Sequence, residues 1–107
     1  MHADSEVVLK LFVVVRSDLT PAQQAVQAAH GVAEWLLHQT TVWRNETLIL
    51  KAARSQDHLL VLMGKLAKHQ ISHIIWREAD LNNEVTAIAT ADPNAEVYIS
   101  RLHLLLS

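Results

Sequence analysis

The chain has 107 residues, half of them apolar, and a formal charge of −2 with its seven histidines neutral. That length fits one domain with enough core to fold without staples. The absence of cysteine excludes a disulfide scaffold, a thiolate zinc site and a cysteine nucleophile, and the missing basic excess argues against tight nucleic-acid binding.

Residues 1–6 are expected to be flexible, and they lack the basic start of a secretory signal. A cytoplasmic setting is therefore expected. The run Val7 to Arg16 is β-branched and apolar with almost no polar alternation, the pattern of an interior strand buried on both faces. Its apolar core is far too short to span a membrane. Asp18-Leu19-Thr20-Pro21 stops the strand. Thr20 suits an N-cap, Pro21 the first helical position and Gln23 a capping-box partner. These signals predict a helix from Pro21 to about His38, with Ala22, Ala25, Ala29 and Ala33 as a small-residue face lying close on a sheet.

Thr47 to Ala53 reads as a second strand. Ser55 can cap a second helix, running to about Lys68, whose apolar stripe is Leu59, Leu62, Met63 and Leu66. Ser72 to Arg77 and Val85 to Thr90 read as strands three and four, and their short link predicts an antiparallel pair. A third helix should start at Asp92-Pro93. Over Val97 to Leu106 helix and strand compete, because the stretch is apolar throughout. The order β-α-β-α-β-β-α predicts a single three-layer α-β-α domain over residues 1–107, with a mixed four-stranded sheet and helices on both faces.

Several groups can carry chemistry. Gln23, Gln27, His30 and Glu34 share one helical stripe. It is either a solvated face or the wall of a cleft in which His30 exchanges protons near neutral pH. Arg16-Ser17-Asp18 ends the first strand, where ligands gather in α/β sheets. The adjoining helix start offers free N–H groups to an anion or oxyanion. Asp18 alternatively just supports the turn and pairs with Arg16. The segment from Trp76 through Arg77, Glu78, Asp80 and Asn83 to Glu84 holds three carboxylates and two amides. It can supply a general base and a substrate-orienting amide, or it is a polar hairpin turn. His69 and His73 are four apart but straddle a helix-to-strand change, and no HExxH pattern is present. No metal or cofactor is expected. Trp35, Trp43 and Trp76 read as core or interface anchors.

The stretch Leu11-Phe12-Val13-Val14-Val15-Arg16-Ser17-Asp18-Leu19, followed by Val26-Gln27-Ala28-Ala29-His30, resembles type 2 peptidyl-tRNA hydrolase. That family has a hydrophobic strand ending in Arg-Thr/Asn-Asp-Leu, then an Ala-Gln-x-x-His helix. The similarity runs in order over about residues 8 to 105, through Thr47 to Lys51, Ser55 to Ala67, Ile74 to Ala79, Val85 to Ala89 and Arg101 to Leu104. The resemblance implies a mixed four-stranded sheet, a homodimer and hydrolysis of the ester joining a peptide to the 3′ ribose of tRNA. It implies His30, Asp80, Glu78 and Asp18 as catalytic candidates and Arg16 and Gln27 as substrate-binding candidates; the helical stripe and the hairpin segment add Gln23, Arg77 and Asn83 as substrate-binding candidates. Glu78 falls where the family carries its catalytic-loop Asp.

Two departures stand out. The family's Gly- and Lys-rich insert is replaced by Thr20-Pro21-Ala22-Gln23-Gln24, which holds no lysine. The family's Asp-Ala-Gly-Arg-Thr loop is replaced by Glu78-Ala79-Asp80-Leu81-Asn82-Asn83. The alternative expectation is a non-catalytic dimeric binding module that kept the fold.

Overall fold

A computed structural model describes residues 9–38 and 42–107. The expected start of the first strand at Val7 and the flexible segment 1–6 lie outside the described residues. In chain order the elements are β1 (Lys10–Arg16), α1 (Pro21–His38), β2 (Thr47–Ala53), α2 (Gln56–Lys68), β3 (Ile74–Glu78), β4 (Glu84–Thr90) and α3 (Glu96–Ile99). The four strands form one mixed sheet in the order β2-β1-β4-β3. β1 runs parallel to β2 and antiparallel to β4, and β3 pairs antiparallel with β4. β1 is thus interior, and Leu11 to Arg16 are all buried, as an unbroken apolar run requires.

The two faces of the sheet carry separate clusters. On one, Phe12, Val14 and Ile88 pack with Leu59, Leu62 and Leu66 of α2 and Ile99 of α3. On the other, Leu11, Val13, Val15, Ala87 and Ala89 pack with Ala28 and Trp35 of α1. This is the expected three-layer α-β-α arrangement.

The rotation of α1 differs from the expected one. Ala22, Ala25, Ala29 and Ala33 are exposed, and the buried stripe is Gln24, Gln27, Ala28, Gly31 and Trp35. Trp35 sets this angle, because its large ring gains far more from burial than four methyl groups do. Gly31 makes the close approach possible: a Cβ there would stand 2.6 Å from Val13 Cγ1. Two glutamines enter the interface as a consequence, and each finds polar partners.

Local signals explain most boundaries. Thr20 Oγ1 accepts from the Gln23 N–H at 3.2 Å, and Ser55 Oγ from the His58 N–H at 3.2 Å. Gln23 does not close a capping box, since its side-chain oxygen accepts from Gln27 Nε2 instead. β3 starts at Ile74 rather than Ser72, whose carbonyl is taken by the Thr90 hydroxyl at 2.6 Å. After Asp92 the chain makes a 3₁₀ turn, Pro93–Ala95, before α3. Over Val97 to Leu106 neither regular structure extends far. α3 stops at Ile99, and the C-terminal segment then crosses to the free edge of β2. There the Ala52 N–H donates to the His103 carbonyl (2.8 Å) and the Leu105 N–H to the Leu50 carbonyl (3.0 Å), covering an edge that would otherwise invite pairing. Among the described residues, no helix is long and apolar enough to cross a membrane.

Candidate functional site

The carboxyl end of β1 and the hairpin joining β3 to β4 meet beside α1. Trp76 pairs with Ala87 but Arg77 pairs with Val85, so β4 carries one extra residue, Thr86. This β-bulge changes the facing of β4: Val85 joins the α2 side, while Ala87 joins the α1 side. Bulges re-aim side chains in this way and recur beside active sites. Here the Thr86 hydroxyl donates to Gln27 Oε1 at 2.7 Å.

Gln27 is 1% exposed, and its amide is fully engaged. Nε2 donates to Glu78 Oε1 at 2.8 Å and to Gln23 Oε1 at 3.2 Å. Glu78 Oε2 accepts weakly from the Asp80 N–H at 3.4 Å. The Gln27 hydrogen bond, and after it the Asp80 N–H, hold the Glu78 carboxyl below its ordinary range against the opposing effect of burial. The indole of Trp76 and the charge of His30 add smaller contributions in the same direction. His30 Nε2 lies 3.8 Å from Glu78 Oε1, too long for a hydrogen bond. Its ring stacks on Trp76, centroids 4.3 Å apart and planes 15° apart. The side chain remains 40% exposed. A histidine is thus held by an indole, next to an ionised carboxylate fixed from α1, with one edge open to solvent.

Arg16 has a different role. Its Nε and Nη2 donate to the two Asp18 oxygens at 3.0 Å each, and Nη1 donates to Glu84 Oε1 at 2.6 Å. The Asp18 hydrogen bonds hold the guanidinium protonated beyond its ordinary range; burial opposes this and the Glu84 contact adds to it. Arg16 in turn holds the Asp18 carboxyl below its ordinary value, again against burial. The cation is consumed by two carboxylates. This is the turn-supporting role of Asp18.

The remaining candidates fall around the hairpin. Asp80 is exposed and contributes its backbone N–H, so the carboxylate facing His30 is that of Glu78. Asn82 and Asn83 both have positive φ, 56° and 59°, which Asn tolerates in tight turns. The Asn83 N–H donates to the Glu78 carbonyl at 3.0 Å, and Arg77 Nη1 donates to the Asn83 carbonyl at 3.2 Å. Arg77 and Asn83 therefore shape the turn. Glu34 lies 3.7 Å from His38 Nε2, one helical turn on. His69 stacks on Tyr98 and His73 Nδ1 lies 2.9 Å from the Ile71 carbonyl oxygen, so each has its own contact.

Sequence reasoning passed over Thr86 and Glu84 as partners. The signal for Thr86 was its hydroxyl in the otherwise small, apolar run Val85 to Ala89. Glu84 stands opposite Glu78 in the β3–β4 register, a repulsive position that is tolerated because each carboxylate has its own donor.

The electrostatics give a pH prediction. Asp18 and Glu78 both have folded-state pKa values below their ordinary ones, so the folded chain binds fewer protons than the unfolded chain. Their contribution to stability is complete above the ordinary Asp and Glu range of about 3.9–4.3 and is lost as pH falls through the lower folded values. The urea midpoint should fall on acidification from pH 6 to 3, and less steeply in Asp18→Asn and Glu78→Gln. An unchanged acid slope in both variants would contradict these pairings.

No protein-family model and no curated protein matches the chain. Among solved structures, it is similar to a protein of unknown function from Agrobacterium tumefaciens strain C58, with a TM-score of 0.67 and 18% identity, over 92% of this chain and 99% of that one. At that identity the likeness shows the fold: the sheet and its flanking helices are shared over nearly the full length of both chains.

Proposed function

We propose that the chain is a peptidyl-tRNA hydrolase-like ester hydrolase, cleaving the ester between a peptide or aminoacyl group and the 3′ ribose of tRNA. The observation that carries this reading is the half-exposed His30, stacked on Trp76 with Nε2 toward the ionised Glu78. The resemblance in Arg16-Ser17-Asp18-Leu19 and Val26 to His30 supplies the substrate class. His30 takes a proton from water as the water oxygen bonds to the ester carbonyl carbon. The carbon–oxygen bond to the ribose then breaks, and the same proton passes to the departing ribose oxygen. Glu78 stabilises the imidazolium between these steps, and its lowered pKa suits a fixed anion better than a proton acceptor. Gln27 and Thr86 position Glu78. Among the amides opening α1, Pro21 has no N–H, while those of Gln23 and Gln24 bond to Thr20. The Ala22 N–H is thus the amide that the start of α1 leaves free for an oxyanion. A cytoplasmic setting follows from this substrate.

Affinity for tRNA should be weak. Thr20 to Gln24 holds no cation, and Arg16 is held by Asp18 and Glu84. The salt dependence should reflect about two or three phosphates. Release of the acyl group from a labelled, N-blocked aminoacyl-tRNA, with binding measured at low and moderate salt, tests both statements. Release above the spontaneous rate with a shallow salt slope is expected. Nanomolar affinity with a steep slope would overturn the weak-binding account, and no release would overturn the hydrolase.

A second reading is a non-catalytic dimeric binding module. It is favoured by an open apolar surface beside α1, where Ala25, Ala29 and Val32 adjoin Leu48, Leu50 and Leu106. A dimer through this surface is compatible with either reading. Sedimentation showing only monomer at micromolar concentration would exclude it.

A further inference from the structure

A concavity lined by neither His30 nor Glu78 lies where the end of β2, the start of α2 and the C-terminal segment converge. Its volume is about 570 Å³, within the range of about 300–1,000 Å³ typical of small-molecule sites. Its polar wall holds Arg54, His58, Arg101 and His103, and no Asp or Glu side chain lines it. In a chain with 11 acidic residues against nine Lys and Arg, two arginines with no Asp or Glu among the lining residues are a local reversal of the charge balance. Several basic groups elsewhere are engaged: Lys10 with Glu96, Arg16 with Asp18 and Glu84, Lys51 with the Ser100 and Leu102 carbonyls, Arg77 with the Asn83 carbonyl. Among the described residues, the guanidinium groups of Arg54 and Arg101 have no hydrogen-bond or ion-pair partner.

Of the two histidines at this site, His58 has a defined hydrogen bond. His58 Nδ1 accepts the Arg54 backbone N–H at 3.0 Å, so the neutral ring carries its hydrogen on Nε2. Burial, then repulsion from Arg54 and Lys65, holds the ring below its ordinary pKa, so it serves as a neutral donor. Leu102, Leu104 and Leu106 also line the cavity and supply its apolar surface.

We propose that this cavity binds a small organic phosphate monoester, its phosphoryl group held by Arg54, Arg101 and His58 and its organic part lying against the C-terminal leucines. Arginine forks match phosphoryl oxygens in pairs, and a monoester carries a charge of about −1.5 to −2 at neutral pH, enough to offset both arginines. A monocarboxylate offers about half that charge and fewer acceptors. The site shares no lining side chain with the His30–Glu78 cluster, so it stands whether or not the chain hydrolyses peptidyl-tRNA.

Titration of the full chain with phenyl phosphate, inorganic phosphate and benzoate, followed by calorimetry and by thermal shift, tests this. Phenyl phosphate should bind at least tenfold more tightly than either other ligand. Arg54→Gln/Arg101→Gln should lose at least tenfold of that affinity; both side chains are exposed, so the variant should keep the wild-type circular dichroism. Failure of phenyl phosphate to bind at millimolar concentration, or equal affinity in the double variant, would overturn the site. Equal affinity for inorganic phosphate would overturn the organic half of the proposal.

Discussion

Replacing His30 by alanine should slow acyl release from tRNA by about 10²–10⁴-fold, the usual worth of a positioned general base, and leave the chain folded. The fold should survive because the side chain is 40% exposed and its main contact is one face of Trp76. The loss should fall on kcat rather than KM, since His30 acts on the attacking water and not on the bound tRNA. Glu78→Gln should show a smaller loss of the same kind, because the neutral amide keeps the shape next to His30 but no longer stabilises the imidazolium. Single-turnover release by the two variants and the wild type is the measurement. A His30→Ala chain that releases acyl groups at the wild-type rate would remove His30 from the chemistry.

The second large effect should come from a residue with no chemistry. Gly31→Val should destabilise the chain by about 1–3 kcal/mol, the usual cost of overpacking a filled core. α1 rests on β1 at this point, and a first side-chain carbon would stand 2.6 Å from Val13 Cγ1 and 3.6 Å from Ala87 Cβ. Val13 is fully buried and β-branched, so it cannot rotate clear. Relief requires lifting α1, which carries His30 and Gln27 away from Glu78, so activity should fall with stability. Gly64 makes the contrast. It lies in α2 with nothing within 4 Å of an added Cβ, so Gly64→Ala should stabilise by about 0.8–1 kcal/mol through helix propensity. Urea unfolding of both variants checks the pair. A Gly31→Val chain as stable as the wild type would contradict the close approach of α1 to β1.

The first half of the chain was legible because its punctuation is local. Thr20-Pro21 and Ser55 mark helix starts by hydrogen bonds that reach only three residues, so α1, β2 and α2 follow directly from the sequence. The interior position of β1 followed from its unbroken apolar run. The rotation of α1 was not legible, because four alanines at helical spacing suit a buried or an exposed face equally. Trp35 decided it, through contacts with a sheet 20 or more residues away in sequence. The stretch Val97 to Leu106 was ambiguous for a similar reason. Its Leu104 bridges to Lys51, a partner that composition cannot reveal.

The site was legible in its parts but not in its pairing. Of the stripe, Gln27 and His30 adjoin Glu78 at the start of the β3–β4 hairpin, Gln23 bonds to Gln27, and Glu34 lies beside His38. Whether Glu78 or Asp80 faces it depends on the end of β3 and on the bulge at Thr86, and a bulge leaves no mark in hydrophobic periodicity. The basic cavity was hidden further, since Arg54, His58, Arg101 and His103 come from two segments more than 40 residues apart.

Chemical rescue tests the central claim most directly. If His30 carries the proton between water and ribose, its removal leaves a space against the face of Trp76 that free imidazole can enter. Acyl release by His30→Ala should then rise with added imidazole, while wild-type release stays unchanged. A folded His30→Ala chain that binds tRNA like the wild type but gains no rate from imidazole would contradict a proton-carrying role for His30.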